Sequence, residues 1–280
     1  MSIEIKDLTY IYMKGTPFEK AALKDVNLNI AAGEFVGIIG PTGSGKSTLV
    51  QHINGLLKPT SGSVLVNGKD VSGSDLKQLR KEVGIVFQYP EHQLFEETVY
   101  KDISFGLVKQ GMSAGEISAR VHDAIKAVGM DESVLEKSPF ELSGGQKRRA
   151  AIAGVIAMRP GILIMDEPAA GLDPSGRDEI FSLILKLHRE QNLTILLVSH
   201  SMEDVARLAK RVVVIHEGRI EMDGRVRDVF KEAERLESIG LTVPQISHLM
   251  HRLKLFIPDL DDEIYTIEED GWTQKYWLET

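Results

Sequence analysis

The sequence predicts an α/β fold in which a mostly parallel sheet is covered by helices on both faces. Short apolar segments such as "GILIM" and "TILLVS" have the length and composition of buried strands. They alternate with stretches of helical spacing, which is typical of a parallel sheet with helices on both sides. A long helical stretch over residues 98–158 interrupts the alternation, so we expect a separate helical subdomain there.

The N-terminal part predicts strands around a glycine-rich loop. Residues 2–12 alternate apolar and polar side chains, and we interpret them as an edge strand. "ALKDVNLNI" and "AAGEFVGIIG" follow as two further strands around a turn at Gly33. After the loop, a helix stops near Pro59, and "GSVLVNGKDV" predicts a hairpin with Asn67 and Gly68 at its turn.

Strands and helices continue to alternate up to about residue 225, where the pattern changes. We therefore expect one domain over residues 1–226 and a small α-helical extension over residues 227–280. In that extension, "RDVFKEAERLESIG" has helical spacing, and a second helix is expected after Pro244. Its end, residues 258–280, carries eight acidic residues against one lysine, together with both tryptophans of the chain.

Composition restricts the class of protein. The 280 residues are 42% hydrophobic and 26% charged, ordinary values for a soluble globular protein, and the absence of cysteine excludes disulfides. No apolar run approaches the roughly 18 residues that span a bilayer, and "MSIEIKDLTY" lacks the basic flank and apolar core of a signal peptide. The net charge of −8 is concentrated in the acidic end, so bulk charge gives no support to a nucleic-acid partner.

A glycine-rich loop predicts a site for nucleotide phosphates. "GPTGSGKS" fits the G-x-x-x-x-G-K-[ST] pattern and lies between a predicted strand and a predicted helix, the context of a P-loop. Gly43 and Gly45 let the backbone curl so that N–H groups point at phosphate oxygens. Lys46 is expected on the β- and γ-phosphates and Ser47 on Mg²⁺. The predicted nucleotide-binding residues of this loop are Gly40, Pro41, Thr42, Gly43, Ser44, Gly45, Lys46, Ser47 and Thr48.

Polar side chains follow three predicted strands at the sheet edge where α/β proteins bind ligands. Asp166 and Glu167 end "ILIMDEP", where Asp166 is expected to hold Mg²⁺ through water and Glu167 to accept a proton from the attacking water. His200 ends "LLVSH" and is expected to contact the γ-phosphate or that water. Gln88 follows "EVGIVF" and is expected to sense the metal or the water.

A second stretch also has the build of an anion site. "ELSGGQKRRA" at 141–150 opens another predicted helix with a serine and two glycines. Backbone N–H groups and the helix dipole favour an anion at such a start. The chain therefore carries two predicted phosphate-binding loops, far apart in sequence.

Taken together, these motifs resemble those of the ATP-binding-cassette (ABC) ATPases. Over about residues 2–225 they follow that family's order: the P-loop, Gln88, "LSGGQ" at 142–146, "ILIMDEP", "AGLD" at 170–173, and His200. The resemblance implies a P-loop NTPase fold with a RecA-like core, an N-terminal antiparallel β part and a helical subdomain carrying LSGGQ. It also implies ATP and Mg²⁺ as ligands.

The family's arrangement implies two cassettes that close head-to-tail on two nucleotides, with Asp173 along the seam. The signature residues would face the γ-phosphate held by the other cassette: Ser143, Gly144, Gly145 and Gln146. In the family an aromatic residue near the N-terminus stacks on adenine. Tyr12 has the expected offset, and Tyr10 is the alternative.

Other stretches resemble the ATPases of energy-coupling-factor (ECF) transporters, which import vitamins and transition-metal ions in prokaryotes. They are "YIYMKGTPFEKAALKDVNL", "FQYPEHQLFEETVYKDISFG" and "EPAAGLDP", and the "GTPFE" insertion resembles the second of the two ATPase paralogues. The resemblance implies a peripheral protein on the cytoplasmic face of the cell membrane. Its implied partners are a second ATPase subunit, a transmembrane coupling subunit and a substrate-binding membrane subunit.

The sequence leaves other interpretations open. One is the ATPase of a different ABC importer, for metal ions or amino acids. Another is a soluble ABC protein acting on DNA or ribosomes, although such proteins usually carry a coiled-coil insert or two cassettes, and this chain shows neither. A non-catalytic cassette is disfavoured because Lys46, Asp166, Glu167 and His200 are all present. Whether the partner cassette is a copy or a paralogue is left undecided.

Overall fold

The computed structural model describes residues 1–73, 76–254, 256–257 and 264–266. The acidic, tryptophan-bearing end noted over residues 258–280 lies outside the described residues except at 264–266. Within the described part, the strands in chain order are β1 (Ile3–Tyr12), β2 (Lys20–Ile30), β3 (Phe35–Ile39), β4 (Ser61–Val66), β5 (Lys69–Asp70), β6 (Val83–Val86), β7 (Ile162–Asp166), β8 (Thr194–Val198), β9 (Arg211–His216) and β10 (Arg219–Arg225).

The helices of the described part fall between and after these strands. In chain order they are α1 (Lys46–Ile53), α2 (Leu76–Glu82), α3 (Val99–Lys109), α4 (Ala114–Ala127), α5 (Gly144–Ile156), α6 (Pro174–Gln191), α7 (Met202–Leu208), α8 (Val226–Phe230), α9 (Ala233–Ser238) and α10 (Gln245–Lys254). Short 3-10 helices occupy Pro90–Gln93, Glu132–Val134 and Pro139–Glu141. Among the described helices, we find none with both the length and the apolar character to cross a membrane.

The larger sheet has the strand order β10-β9-β3-β8-β7-β6. All its strand pairs are parallel except the edge pair of β10 with β9. Along β3, Phe35 and Ile39 pack into one hydrophobic core, whereas Val36 and Ile38 pack into another on the opposite face. Because a strand covered on both faces must be apolar throughout, this explains the short unbroken apolar segments. The α/β fold predicted from the sequence is confirmed.

The smaller sheet is antiparallel and has the order β2-β1-β4-β5. The prediction that β1 is an edge strand is wrong, because β1 pairs with β2 on one side and β4 on the other. Its alternation reflects one buried face, which carries Ile3, Ile5 and Leu8. The predicted hairpin is present, with positive φ at Asn67 and Gly68 as its tight turn requires.

Helices α3, α4 and α5 occupy the stretch where the sequence predicts a helical subdomain. Thr98 caps α3 by accepting a hydrogen bond from the Lys101 backbone, and Ser113 forms a capping box with Glu116 at the start of α4. Gly111 adopts a positive φ just beyond α3, which ends that helix. These helices bring the LSGGQ stretch to the start of α5.

The C-terminal extension is helical, but its first predicted helix is two short ones, α8 and α9. Phe230 and Leu236 from these helices are fully buried in the same core as the parallel sheet. Helix α10 forms a small separate cluster in which Met250 packs with Ile264. The first part of the extension is therefore anchored to the cassette by burial, whereas α10 lies at its edge.

Candidate nucleotide site

The P-loop connects β3 to α1 with the backbone curl that its glycines predict. Gly43 and Gly45 have φ values of 78° and 112°, a region that favours glycine. A side chain at Gly40 would place its Cβ 2.2 Å from the carbonyl oxygen of Ile215. Residues 43–48 line a cavity of about 250 Å³ together with Tyr12, Lys20 and Ala22.

Lys46 lies inside the loop that it is expected to serve. Its Nζ donates hydrogen bonds to the carbonyl oxygens of Gly40, at 2.6 Å, and Pro41, at 3.0 Å. Burial lowers the pKa of Lys46, while the carboxylates of Glu167 and Asp166 act in the opposite direction. The ammonium is therefore held on neutral carbonyl oxygens, and a phosphate oxygen would offer it a charged acceptor instead.

Asp166 and Ser47 meet where β7 ends beside the P-loop. The Ser47 hydroxyl lies 3.4 Å from Oδ2 of Asp166, so a hydroxyl and a carboxylate oxygen converge. Burial raises the pKa of Asp166, opposed by the Ser47 hydrogen bond and the Lys46 charge. Among the described residues, no group of three or more His, Cys, Asp or Glu side chains could hold a metal ion. This sparse oxygen set fits Mg²⁺, which usually takes one or two protein oxygens plus phosphates and water.

Glu167 is held in a strained and partly desolvated position. Its φ is 52°, unusual for a residue with a side chain, and its N–H donates to the carbonyl of Val198 at 3.0 Å. Burial, followed by the neighbouring Asp166, raises the pKa of Glu167 to about 7. Its Oε1 is buried without a hydrogen-bond partner among the described residues, and Nε2 of His200 lies 3.5 Å from it. An acceptor atom thus stands free for a polar ligand.

His200 lies half exposed at the end of β8, across from Glu167. Burial and then the charge on Lys46 lower the pKa of His200. Gln88 is exposed two residues beyond β6, whose neighbour in the sheet is β7. It shares the sheet edge with Asp166, but the structure gives it no hydrogen bond to Asp166 or Ser47 among the described residues. Its expected role in sensing the metal or the water stays a prediction.

The two candidate aromatic residues occupy different positions. Tyr12 lines the P-loop cavity, and its hydroxyl lies 3.2 Å from the hydroxyl of Thr48. Tyr10 packs edge-to-face between Tyr12, at 4.8 Å between ring centroids, and the fully buried His52, at 4.7 Å. This geometry favours Tyr12 as the residue that faces a nucleotide and gives Tyr10 a supporting place behind it.

His52 provides a test of the packing beneath the P-loop helix. Its Nδ1 lies 2.7 Å from the carbonyl oxygen of Thr48, its Nε2 has no hydrogen-bond partner in the described part of the chain, and burial lowers its pKa. The unfolded chain therefore binds this proton more readily, and stability falls as the pH drops below about 6.5. Urea unfolding at pH 7.5 and 5.5 should show a larger loss of stability in wild type than in His52→Met. Equal losses in wild type and His52→Met would contradict this account.

The LSGGQ stretch forms an exposed helix start away from the P-loop cavity. Ser143 caps α5 by accepting from the Gln146 N–H at 3.3 Å, and Oε1 of Gln146 accepts from the Ser143 N–H at 3.0 Å. Gly144 and Gly145 are exposed, with open space where side chains would lie. Asp173 likewise caps α6, where its Oδ1 accepts from the Gly176 N–H at 3.2 Å, and it is exposed. The structure thus brings together the P-loop, Asp166, Glu167 and His200 but leaves the signature residues and Asp173 facing solvent.

Two arginines beside the site were not singled out from the sequence. Arg177 of α6 donates to Asp204 at 2.9 Å and to the Ser201 hydroxyl at 2.7 Å, which ties α6 to the segment after His200. Arg148 of α5 is fully buried. The sequence offered one signal of this burial: Arg148 lies on a helix face whose other residues are small and apolar.

Comparison with known proteins gives consistent matches. The family model "ABC transporter" matches residues 23–170. The chain is 63% identical to the energy-coupling factor transporter ATP-binding protein EcfA2 of Acetivibrio thermocellus, over 96% of each chain. It is 57% identical to the EcfA2 protein of Clostridium tetani, over 96% of this chain and 94% of the relative.

Solved structures agree with these matches. CbiO1 from Clostridium perfringens, described as part of the ABC transporter complex cbiONQ, superposes with a TM-score of 0.75 and 43% identity over 89% of this chain and 98% of that one. The ATP-binding cassette MJ0796, solved as a dimer in a post-hydrolysis state with ADP and Pi, gives a TM-score of 0.71 and 33% identity over 80% and 98% of the two chains. The family resemblance predicted from the motifs is therefore confirmed. The chain belongs to the ABC transporter family and, within it, to the energy-coupling factor transporter ATP-binding proteins.

Proposed function

We propose that this chain is the ATP-binding and ATP-hydrolysing subunit of an ECF importer that takes up a vitamin or a transition-metal ion. The observation that carries the proposal is the convergence of Lys46, Asp166, Glu167 and His200 at one edge of the parallel sheet. Fold-level likeness alone would not assign an activity. Here the same edge offers a phosphate loop, an oxygen pair for a divalent metal and a buried carboxylate with a free acceptor atom.

The P-loop and Tyr12 bind the nucleotide. The curled backbone at Gly43 and Gly45 directs N–H groups at phosphate oxygens, and the start of α1 adds its dipole. Lys46 exchanges its carbonyl acceptors for phosphate oxygens. Tyr12, which lines the same cavity, stacks on the adenine ring.

Ser47 and Asp166 would hold Mg²⁺, Asp166 through water, and Gln88 is a further candidate at the same sheet edge. When bound, the ion neutralises charge on the β- and γ-phosphates. Ser47 contributes its hydroxyl oxygen directly. Because burial already raises the pKa of Asp166, a cation beside it is favoured electrostatically.

Glu167 accepts the proton of the attacking water. Glu167 and His200 both line a cavity at the end of β7 and β8, and Oε1 of Glu167 lies 3.5 Å from Nε2 of His200. The strained backbone at Glu167 fixes where this oxygen lies, which is what a general base requires. His200 orients the water or the γ-phosphate through the side of its ring that faces solvent.

Hydrolysis requires a second cassette, either a copy of this chain or a paralogue. The exposed start of α5 presents Ser143, Gly144 and Gly145 to the γ-phosphate bound by the partner's P-loop, with Gln146 maintaining the cap. Asp173 lies along the seam between the two cassettes. A pair of this kind binds ATP better when closed than when open, and that difference drives the membrane partner.

A docking surface for the transmembrane coupling subunit lies beside the segment that follows Gln88. We define it by the exposed aromatic residues Tyr89, Phe95 and Phe105. Phe95 and Phe105 meet edge-to-face at 5.1 Å and remain 62% and 40% exposed. Exposed aromatic clusters of this kind mark protein interfaces. Docking there places the chain on the cytoplasmic face of the cell membrane, where a separate membrane subunit selects the transported substrate.

The function can be tested on the complex isolated from membranes. Affinity purification of the tagged chain should recover a membrane protein partner and a second cassette, identified by mass spectrometry. The recovered complex should hydrolyse ATP when Mg²⁺ is present. Recovery of only ribosomes or DNA would contradict the importer and support the soluble class of ABC protein.

Helix α10 is predicted to assist pairing of the two cassettes. Leu249 within this helix, and Phe256 and Ile257 just beyond it, leave 52%, 82% and 46% of their surfaces exposed. Truncation after Pro244 preserves the buried Phe230 and Leu236, so ATP binding should be retained. We expect the dissociation constant of the cassette pair to rise about tenfold, a loss of about 1.4 kcal/mol. Sedimentation equilibrium measures it, and an unchanged constant would assign the extension another role.

A further inference from the structure

Arg148 is a buried charged residue for which the proposed function gives no role. It lies in the first turns of α5, and its side chain is only 2% exposed. Burying a guanidinium is costly unless hydrogen bonds and an opposite charge compensate it. The hydrogen-bond partners of Arg148 therefore indicate its role.

The guanidinium makes four hydrogen bonds to two different segments. Nε and Nη2 donate to the two carboxylate oxygens of Glu91, at 2.9 and 2.7 Å. Nη1 donates to the carbonyl oxygens of Pro168, at 3.2 Å, and Ala170, at 2.9 Å. A planar, forked donor suits this combination, whereas a lysine ammonium cannot match both sides at once.

One side of this contact leads to the docking surface. Glu91 lies in the 3-10 helix Pro90–Gln93, directly after Gln88 and Tyr89. Burial alone would raise the pKa of Glu91, but the hydrogen bonds and charge of Arg148 outweigh it and the pKa is lowered. The carboxylate is thus ionised and paired, so the segment is tied to α5 by charge as well as by geometry.

The other side leads to the catalytic carboxylate. Pro168 follows Glu167 directly, and the N–H of Ala170 donates to the carbonyl of Glu167 at 3.1 Å. Arg148 therefore binds the carbonyl oxygens of Pro168 and Ala170, both within the tight turn that begins at Glu167. The turn leads on to Asp173, which caps α6.

We propose that Arg148 is a positioning residue that links the docking surface to the turn carrying Glu167, so that movement of the docked segment reorients the general base. The inference rests on the proposed function, because it assumes hydrolysis at Glu167 and docking beside Gln88. The Arg148 side chain thus joins α5 to the 3-10 helix Pro90–Gln93 and to the turn that begins at Glu167. Because a small displacement of a catalytic group lowers the rate strongly, the Arg148 contacts make ATP turnover depend on the position of the docked segment.

The neighbouring residue supplies a matched control. Arg149 is on the same helix and pairs with Glu179, but that pair lies at the surface, with 26% and 55% of the two side chains exposed. The two arginines thus differ in burial and in partners but not in chemistry. Arg149→Gln removes a charge from α5 without touching the docking segment or the Glu167 turn.

The test compares variants in the purified membrane complex. Arg148→Gln, Arg148→Lys, Arg149→Gln and the double variant Glu91→Gln/Arg148→Gln are measured for kcat and KM of ATP hydrolysis. Binding of a fluorescent ATP analogue counts the folded sites. The double variant leaves no unpaired buried charge, so it separates loss of positioning from failure to fold. We expect Arg148→Gln and the double variant to lose about tenfold or more in kcat with KM within about threefold.

The remaining variants complete the prediction. Arg148→Lys should recover only part of the rate, and Arg149→Gln should stay within about twofold of wild type. If the double variant turns over at the wild-type rate, or if every rate loss equals the loss of ATP-binding sites, the inference is overturned while the proposed function stands. A wild-type complex that hydrolyses no ATP would overturn both together.

Discussion

Replacing Glu167 by glutamine is expected to reduce ATP hydrolysis by about 10²–10⁴-fold, the usual contribution of a general base. Glutamine preserves the size and shape of the side chain but cannot accept the proton of the attacking water. ATP binding should be unchanged because the P-loop and Tyr12 are untouched. The pair of cassettes should therefore accumulate in its closed form, which size-exclusion chromatography with ATP would detect.

A carboxylate elsewhere on the surface serves as the control for this change. Glu190 is exposed on α6, far along the chain from the catalytic turn, and Glu190→Gln should leave kcat within about twofold of wild type. If Glu167→Gln itself retains turnover within about threefold of wild type, Glu167 is not the base. The buried, partnerless Oε1 would then need another explanation.

Changing Ser143 to aspartate is expected to reduce hydrolysis by at least about 100-fold, comparable to removal of a stabilising donor. Aspartate is as good a helix cap as serine, so α5 should remain folded. Its negative charge, however, would face the γ-phosphate held by the partner. ATP binding to the altered chain should be nearly unaffected, because Ser143 does not line that chain's own P-loop cavity.

The same substitution at another helix start controls for the capping change. Thr98 caps α3 through its side chain and has no place in the proposed site, so Thr98→Asp should leave hydrolysis close to wild type. Stopped-flow ATP binding and steady-state hydrolysis distinguish the two effects. A Ser143→Asp chain that hydrolyses at the wild-type rate would exclude the signature stretch from the site.

The local features of the site were predictable because short-range chemistry determines them. Gly43 and Gly45 adopt the positive φ that a P-loop requires, and Asn67 with Gly68 forms the expected hairpin turn. Asp166 and Glu167 reach the P-loop because parallel strands end at a common edge. In each case the residue type and its neighbours in sequence are enough to predict the local structure.

Features that depend on tertiary partners were not predictable in the same way. The alternation in β1 reports one buried face but not how many strands pair with it, so the edge assignment failed. The helical pattern after residue 226 did not show that Phe230 and Leu236 would be drawn into the main core as two short helices. The position of Arg148 on an otherwise small and apolar helix face did not identify its partner, because Glu91 is distant in sequence.

The proposed shared site is a third kind of case, because on that proposal one chain would contribute only half of it. The signature residues are exposed, and their helix start is satisfied internally by Ser143 and Gln146. On the proposed pairing, a single cassette would therefore be complete as a fold but would hold only half of the site. The proposed pairing explains why one chain carries two phosphate-binding loops.

The most direct measurement is the ATP hydrolysis rate per chain as a function of association between cassettes. The purified chain is assayed from dilute monomer up to conditions where sedimentation shows pairs, with the partner cassette added in parallel. We predict negligible hydrolysis by the monomer, a rise that follows the fraction of paired chains, and no rise for Ser143→Asp. A monomer that hydrolyses ATP at the full rate, with Ser143 dispensable, would contradict the account.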